Sequence, residues 1–257
     1  MRPARVNYDT IAHLFDGQPY RAKSVDAELL AFIGDRGAAA SLSILDIGCG
    51  TGNQLVADRR VVPEAQLVGA DRSLGMLRQA QPKAADIAWV QADAAMLPFQ
   101  AESFDFLTCQ HALHHVEDKT GMLRETFRVL RPGGRLVVHS LCPQESPDWL
   151  YYEYFPEAHA IDLADFWPPE AIAAAMKTNG FLPVTLERHQ IHYQQNMRDW
   201  LKVLHRRDTN SQLMTISDAA YEAGLRRLQT ELDNARSELA RAEHLCLVTI
   251  RADKRSQ

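Results

Sequence analysis

The stretch Ile44-Leu-Asp-Ile-Gly-Cys-Gly-Thr-Gly-Asn53 decides the fold of this chain. Its apolar beginning, together with Ser43, predicts a short buried strand that ends in a glycine cluster. Glycines at positions 48, 50 and 52 allow the backbone to turn sharply and to approach a ligand closely. The pattern is neither a dinucleotide fingerprint, which needs glycine at position 53, nor a P-loop, which needs a following lysine. A tight turn without a ligand is the alternative, and the entropic cost of three glycines disfavours it.

Strand-like and helix-like segments alternate through the first 140 residues. Further apolar runs predict strands at 66–71, 87–91, 104–109 and 135–140. Helical spacing predicts helices over 24–34, 74–80 and 120–130. This alternation predicts an α/β fold of Rossmann-like type, with a mostly parallel sheet and helices on both faces. Ligands bind at the carboxyl ends of the strands in such sheets, beside the first strand.

The pattern changes after residue 140. Seven aromatic residues lie between 149 and 167, a Pro168-Pro169 pair opens a helix that ends near Asn179, and strands are predicted at 181–192 and 245–250. Helical spacing dominates the region between these two strands. We therefore expect N-terminal cofactor-covering helices over 1–40, a Rossmann-like core over 41–193 and 243–257, and a helical insertion over 194–242 that forms a substrate cap.

Composition excludes several classes of function. The chain has 257 residues, is 46% hydrophobic and 24% charged, and carries a net charge of −5, so we expect no nucleic-acid partner. No apolar run approaches the roughly 20 residues of a membrane span, and the N-terminus does not resemble a signal peptide. The four cysteines at 49, 109, 142 and 246 form no Cys-x-x-Cys pair, which argues against a disulfide scaffold or a structural metal site. A cytoplasmic protein, monomeric or homodimeric, is the expectation.

Two carboxylates follow the predicted second and third strands. Asp71 ends the strand of Val68-Gly-Ala-Asp71, nineteen residues beyond Gly52, where an acid can accept two hydrogen bonds from a ribose diol. Asp93 follows the third strand, where a carboxylate can accept a hydrogen bond from an exocyclic amine such as that of adenine. Either acid alone has a solvated strand end as its alternative. Together with the glycine turn they predict an adenosine site, and the lack of a basic cluster for phosphates points away from ATP and NAD.

These motifs together resemble the class I S-adenosylmethionine-dependent methyltransferases, in particular the ubiquinone/menaquinone-biosynthesis group. The matching residues span about 40 to 140 and are Leu45-Asp-Ile-Gly-Cys-Gly-Thr-Gly52, Gly69-Ala-Asp71, Ala92-Asp93 with Leu97-Pro-Phe99, Phe104-Asp-Phe106 and Val129-Leu-Arg-Pro-Gly-Gly-Arg135. The resemblance implies a seven-stranded sheet whose last two strands form an antiparallel hairpin. It also implies S-adenosylmethionine as the cofactor and S-adenosylhomocysteine as its product.

The resemblance further implies roles for individual residues. Gly48, Gly50 and Gly52 would line the methionine and ribose portions of the cofactor, and Asp46 would orient their loop. Asp71 would hold the ribose hydroxyls, Asp93 and Ala94 would flank the adenine, and Gln110 would lie near the sulfonium. Tyr8 belongs to a segment that looks like the family's N-terminal cover, in which Tyr20 and Arg21 are candidates for binding the cofactor carboxylate. The neighbouring residues Cys49, Arg72 and Met76 complete the expected cofactor site.

Methyl transfer from a sulfonium needs alignment and desolvation, and it needs a base only if the acceptor must first lose a proton. His111, His114 and His115 follow the fourth strand and are candidates for such a base; the alternative is that they are ordinary loop residues of the family. The aromatic cluster at 149–167 predicts either an apolar pocket for a small lipid-like or aromatic acceptor or plain packing of a lid. Alternative functions are an RNA or protein methyltransferase and a cofactor-binding relative without catalysis. No metal site is expected, although Cys109 and Cys142 both end predicted strands.

Overall fold

The computed structural model describes residues 6–17, 21–36, 42–235 and 239–256. Its α-helices are α1 Tyr8–Ile11, α2 Ala27–Arg36, α3 Asn53–Asp58, α4 Leu74–Ala80, α5 Lys119–Val129, α6 Leu150–Tyr154, α7 Pro156–Asp165, α8 Pro169–Thr178, α9 Met197–Leu204, α10 Ser211–Thr215 and α11 Asp218–Asn234. Its strands are β1 Ser43–Ile47, β2 Gln66–Asp71, β3 Ala88–Gln91, β4 Phe104–Gln110, β5 Leu130–Leu141, β6 Val184–Asn196 and β7 Ala240–Asp253. No helix within these described ranges has the length and apolarity needed to cross a bilayer.

The seven strands form one sheet in the order β3-β2-β1-β4-β5-β7-β6. Strands β1 to β5 pair in parallel, with Asp46 of β1 opposite Gly69 of β2 and Thr108 of β4. Strand β7 runs antiparallel to both of its neighbours. Backbone hydrogen bonds join residue 133, near the start of β5, to residue 254, just after β7, and residue 142, just after β5, to residue 246. On the other side they join residue 182, before β6, to 253 and residue 197, after β6, to 239. The predicted Rossmann-like sheet with an antiparallel last pair is therefore confirmed.

Sequence patterning located most elements well. Strands β1 and β2 and helix α4 have the predicted bounds, and helix α5 differs by one residue at each end. Strand β6 begins three residues after the start of the predicted 181–192 and ends four residues beyond it, and β7 extends past the predicted 245–250 at both ends. The added residues are mostly polar and carry little hydrophobic signal. Helices α9, α10 and α11 occupy the predicted helical region between these strands.

The chain divides into two compact units. Of the described residues, one comprises 8–17, 21–36, 42–140, 169–187 and 248–256, and the other comprises 6–7, 141–168, 188–235 and 239–247. We call the first the glycine-turn unit and the second the aromatic unit. The aromatic unit thus groups the 149–167 cluster with the helices between β6 and β7.

Each unit has its own hydrophobic core. In the glycine-turn unit, fully buried side chains of β1, β2 and β4 such as Ile44, Leu67 and Phe106 pack with Leu29 and Phe32 of α2. In the aromatic unit, the core holds the aromatic side chains that the sequence concentrates in one segment: Trp149, Tyr152, Tyr154, Phe155 and Phe166. Much of that aromatic surface therefore has a packing role, one of the two alternatives that the sequence left open.

Candidate functional site

The turn after β1 contains three glycines with left-handed backbone conformations. The angle φ is +72° at Gly48, +54° at Gly50 and +78° at Gly52. A Cβ atom on Gly48 would lie 2.4 Å from the Cβ of Ala112, and one on Gly52 would lie 2.3 Å from the ring of Trp89. A Cβ on Gly50 would meet nothing nearer than 3.8 Å. Packing therefore requires glycine at 48 and 52, whereas Gly50 leaves space in front of its backbone, as a ligand cradle does.

Asp71 holds its carboxylate beside this turn. Its Oδ2 accepts a hydrogen bond from the backbone N–H of Gly50 at 2.8 Å, and its Oδ1 accepts one from the backbone N–H of Ser73 at 2.8 Å. Burial, the largest influence, raises the pKa of Asp71 above its ordinary value. A carboxylate has about four lone-pair sites, so acceptor capacity remains for a ligand's hydroxyl group beside these backbone contacts. The carboxylate thus lies at the glycine turn, where the sequence pattern predicted a ribose-binding acid.

The other residues predicted around the adenosine have different environments. Asp93 is exposed after β3, and its Oδ1 accepts a hydrogen bond from the backbone N–H of Ala95 at 2.8 Å, beside the half-buried Ala94. The Arg72 side chain is 74% exposed, and Met76 is buried in α4. Asp93 and Ala94 therefore lie at the carboxyl end of β3, as expected, whereas Arg72 extends into solvent.

Two carboxylates of the N-terminal segment bind the turns that follow β1 and β2. Asp9 Oδ1 accepts hydrogen bonds from Ser73 Oγ at 2.7 Å and from a backbone N–H in the first turn of α4 at 2.6 Å. Asp16 Oδ1 accepts one from Thr51 Oγ1 at 2.6 Å, and the Asp16 carboxylate also pairs with Lys83. Both acids belong to the segment that the sequence identified as a cover, although neither was named as a site residue. Their short polar contacts give that segment a defined position at both turns.

The same segment places Tyr8 against the loop after β4. The Tyr8 hydroxyl lies 2.7 Å from Nε2 of His115, and the two rings meet edge to face. The guanidinium of Arg21 lies over the ring of Phe15, 3.8 Å from its centroid. Tyr20, the other candidate for the cofactor carboxylate, lies outside the described residues.

The three histidines after β4 differ in their environments. His111 has a left-handed φ of +51°, which is uncommon for a residue other than glycine, and its surface is open to solvent. Desolvation by the surrounding protein, followed by the positive charge of Lys23, lowers its pKa to about 3. Burial lowers the pKa of His114 well below its ordinary value as well. His111 and His114 are therefore neutral at physiological pH.

Gln110 belongs to a polar network that the sequence did not reveal. Its Oε1 accepts a hydrogen bond from Lys23 Nζ at 3.1 Å, and its Nε2 donates one to Asp26 Oδ2 at 3.1 Å. The same Asp26 oxygen lies 3.4 Å from Nε2 of His139. Burial, the largest single influence, raises the pKa of Asp26, but the contact with His139 and the hydrogen bonds from Glu28 and Gln110 together outweigh it, so the pKa is lowered. Asp26 also accepts a hydrogen bond from the backbone N–H of Glu28, an N-cap pattern that its position just before α2 could have predicted.

Asp46 lies at the end of β1 under the glycine turn. Its side chain is 2% exposed, and its Oδ1 has no hydrogen-bond partner in the part of the chain that the structure describes. Burial first, and the nearby Asp58 second, raise the pKa of Asp46 to about 8. Lys23, whose own pKa is lowered by burial, contributes an opposing positive charge. Without ligand Asp46 is therefore largely protonated near neutral pH, and a cationic group placed beside it would favour its ionised form.

These features fit an adenosyl sulfonium cofactor. Gly50 leaves an open face that a Cβ would fill, Asp71 presents its carboxylate next to it, and Asp46 carries a buried oxygen without a partner among the described residues. The three lie at the ends of the adjacent strands β1 and β2, on the edge of the sheet where such folds bind ligands.

Comparison with known proteins supports this interpretation. A family model described as a methyltransferase domain matches residues 45–138. A demethylmenaquinone methyltransferase of Roseiflexus castenholzii is 33% identical over 162 residues, which cover 55% of this chain and 68% of that protein. A ubiquinone/menaquinone biosynthesis C-methyltransferase of Desulfotalea psychrophila is 38% identical over 117 residues, 45% of this chain and 46% of that protein. The chain thus spans just under half the length of this second relative.

A solved structure shares the fold. Phosphoethanolamine N-methyltransferase 2 of Haemonchus contortus, in complex with S-adenosyl-L-methionine, superposes with a TM-score of 0.60 at 20% sequence identity. The superposition covers 96% of this chain and 57% of that chain. The similarity extends beyond residues 45–138 and therefore includes the aromatic unit as well as the glycine turn.

Proposed function

Because the chain belongs to the class I S-adenosylmethionine-dependent methyltransferases, we propose that it methylates a small aromatic acceptor of the quinol type by in-line displacement. The observation that carries the choice of acceptor is the 33% identity, over 68% of its length, to a protein that methylates demethylmenaquinone. The second relative is named as a C-methyltransferase of ubiquinone and menaquinone biosynthesis. Both names specify a redox-active aromatic ring on an apolar molecule.

The aromatic unit supports an apolar acceptor through its composition. Although most of its aromatic side chains are buried, Tyr193 remains 42% exposed and Tyr151 is half-buried. Aromatic surfaces of this kind favour flat, apolar ligands. The net charge of −5 disfavours the main alternative, an RNA acceptor, which would need a basic channel.

The protein's contribution is to bind and align. S-adenosylmethionine supplies a methyl group on a positively charged sulfur when it is bound. Asp71 would hold the ribose hydroxyls. The backbone N–H of Gly50 would continue to donate to that carboxylate, and the open face of Gly50 would lie next to the ligand. Asp46 would lie near the positive charge, and Gln110, fixed by Lys23 and Asp26, would line the same edge. Such alignment can lower the barrier by several kcal/mol without a covalent residue.

A base is required only if the acceptor hydroxyl must lose its proton before or during transfer. His111, His114 and His115 are the proposed candidates. With its low pKa, His111 accepts a hydrogen bond more readily than it retains a proton. His115 differs from the other two because its Nε2 faces the Tyr8 hydroxyl, so a proton could pass between the phenol and the imidazole.

The experiment that tests the acceptor class uses cofactor labelled in its methyl group. The protein is incubated with reduced demethylmenaquinone or a short-chain analogue, and the organic phase is analysed by mass spectrometry. We expect a labelled product one methyl group heavier, absent with the Asp71→Asn variant. Label in RNA or protein from a cell extract, with none in the quinol, would contradict the proposal. Tight cofactor binding without turnover on any fraction would favour a relative that has lost catalysis.

A further inference from the structure

The structure brings two cysteines together that are more than a hundred residues apart in the sequence. Cys142 follows β5 and Cys246 lies in β7, and the backbone N–H of Cys142 donates a hydrogen bond to the carbonyl of Cys246 at 2.9 Å. Both side chains are buried, with exposed fractions of 1% and 0%. The two sulfurs and a carboxylate oxygen of Glu145 all lie within 4.8 Å of one another. Among the described residues, these three side chains form the group of histidine, cysteine or acidic residues whose potential ligand atoms lie this close to one another.

Each thiol faces an oxygen atom. The Cys246 Sγ–H donates to Glu145 Oε2 at 3.7 Å, and the Cys142 Sγ–H donates to Gln144 Oε1 at 3.6 Å. In a tetrahedral zinc site with Zn–S of ~2.3 Å and Zn–O of ~2.1 Å, neighbouring sulfur and oxygen ligands are ~3.6 Å apart. Both sulfur–oxygen pairs therefore already have the separation of a tetrahedral edge. From this geometry we propose that Cys142, Cys246, Glu145 and Gln144 form a binding site for a thiophilic divalent metal ion of the zinc type.

A serine side chain holds the loop around the site through hydrogen bonds to two backbone groups. Ser146 Oγ donates to the carbonyl of Cys142 at 2.8 Å and accepts from the backbone N–H of Cys246 at 2.9 Å. One hydroxyl thus joins the backbones of the two cysteines directly beside their sulfurs. Metal ligands need such fixed second-layer contacts to keep their geometry, and Ser146 provides one without using the thiols.

The charges of the site balance with and without a metal ion. A cysteine thiol is largely protonated at neutral pH, and both side chains are buried, so both thiols are neutral without metal. Glu145 is then paired with Arg188, whose Nε lies 2.8 Å from its carboxylate. A divalent ion that displaces both thiol protons would be bound by two thiolates and one carboxylate, with a net charge of −1. Arg188 compensates that charge, which lowers the cost of forming the site.

Binding is consequently coupled to proton release. One divalent ion enters, two S–H bonds are replaced by two metal–sulfur bonds, and two protons leave to solvent. No electron is transferred, so no oxidant or reductant is required. Affinity should therefore rise with pH through the neutral range, because each displaced proton contributes up to about a factor of ten per pH unit.

Titration of the reduced full-length protein with Cd²⁺ tests the proposal, since cadmium–thiolate bonds have an ultraviolet charge-transfer band. We expect one ion per chain and nearly two protons released per ion in a weakly buffered solution. Cys142→Ser and Cys246→Ser should each abolish the band, and Glu145→Gln should weaken binding about tenfold or more. Cys109→Ala is the matched control: this cysteine is equally buried in β4, and its loss should leave the band unchanged.

A second measurement on the unaltered protein guards against a folding defect in the cysteine variants. X-ray absorption at the zinc edge should show two sulfur neighbours at ~2.3 Å and two oxygen neighbours at ~2.1 Å. Zinc surrounded only by nitrogen and oxygen would overturn the proposal. The same conclusion would follow from a cadmium band that survives both serine substitutions, or from binding without proton release. None of these readouts depends on methyl transfer, so they stand apart from the proposed function.

Discussion

The carboxylate of Asp71 accepts a hydrogen bond of 2.8 Å from the backbone N–H of Gly50. This contact joins the turn after β1 to the end of β2, so that one residue fixes the shape of the glycine turn and presents acceptor oxygens next to it. The open face of Gly50 lies in the same place, since a Cβ there would have no neighbour within 3.8 Å. In the proposed cofactor site, one side chain would therefore both hold the ribose and fix the path of the turn.

Asp71→Asn should weaken cofactor binding strongly with a smaller effect on folding. Asparagine keeps the size of the side chain but has one acceptor oxygen, so it cannot accept both backbone hydrogen bonds and those of a ribose diol. We expect the Kd for S-adenosylhomocysteine, measured by calorimetry, to rise ~10- to 100-fold, which corresponds to about 1–3 kcal/mol. Asp86→Asn, at an acid that is 64% exposed and pairs with Arg59, is the control and should bind normally. Equal affinities of the two variants would remove Asp71 from the ribose site.

Alanine substitutions at Gly50 and Gly52 should separate ligand binding from folding. Both residues have left-handed φ, which costs alanine about 1–2 kcal/mol. At Gly52 the new Cβ would also overlap the ring of Trp89, adding about 1–3 kcal/mol of overpacking. Gly52→Ala should therefore lower the free energy of unfolding by roughly 3 kcal/mol in urea denaturation.

Gly50→Ala should instead be only mildly destabilised yet bind the cofactor at least tenfold more weakly, because its Cβ would occupy the open face. Calorimetry on the folded variant provides this measurement. If Gly50→Ala retained the affinity of the natural protein, the ligand would lie elsewhere on the sheet edge.

The sequence predicted the backbone of the site better than its side-chain network. Alternating glycines and short apolar runs determine local structure, which is why β1, β2 and the acid at the end of β2 could be located from pattern alone. Gln110 was expected near the sulfonium, but its partners Lys23 and Asp26 come from a segment more than eighty residues away. The Cys142–Cys246 pair likewise depends on the register of two antiparallel strands, and no local motif encodes that register.

The environment of Asp46 predicts a dependence of stability on pH. Its pKa is about 8 in the folded protein against 3.8 ordinarily, so the folded state retains a proton that the unfolded state has lost between these values. Stability is then highest at low pH in this window, and the free energy of unfolding falls as pH rises from about 4 to 8. Asp46→Asn should flatten this fall, as measured by urea denaturation at several pH values. Asp86→Asn should keep the full slope, and an unchanged slope in Asp46→Asn would mean that the carboxyl is ionised when buried.

The last prediction concerns the base. Because the pKa of His111 is about 3 and that of His114 is also lowered by burial, neither residue should titrate between pH 5 and 9. Their alanine variants should therefore keep the shape of the pH profile of kcat, even if the rate falls. His115 contacts the Tyr8 hydroxyl, so His115→Ala is the variant expected to change that shape, with a loss of about 100-fold or more if it is the base.

Tyr8→Phe distinguishes the role of the His115 imidazole from the role of its hydrogen bond, because it removes the Tyr8 hydroxyl and leaves His115 in place. We expect a smaller loss in kcat for Tyr8→Phe than for His115→Ala, with the pH profile shifted but not flattened. If all three histidine variants turned over at the natural rate across this range, no histidine of the loop after β4 would act as a base. Catalysis would then rest on alignment alone, because an electron-rich acceptor can attack an activated methyl group without prior deprotonation.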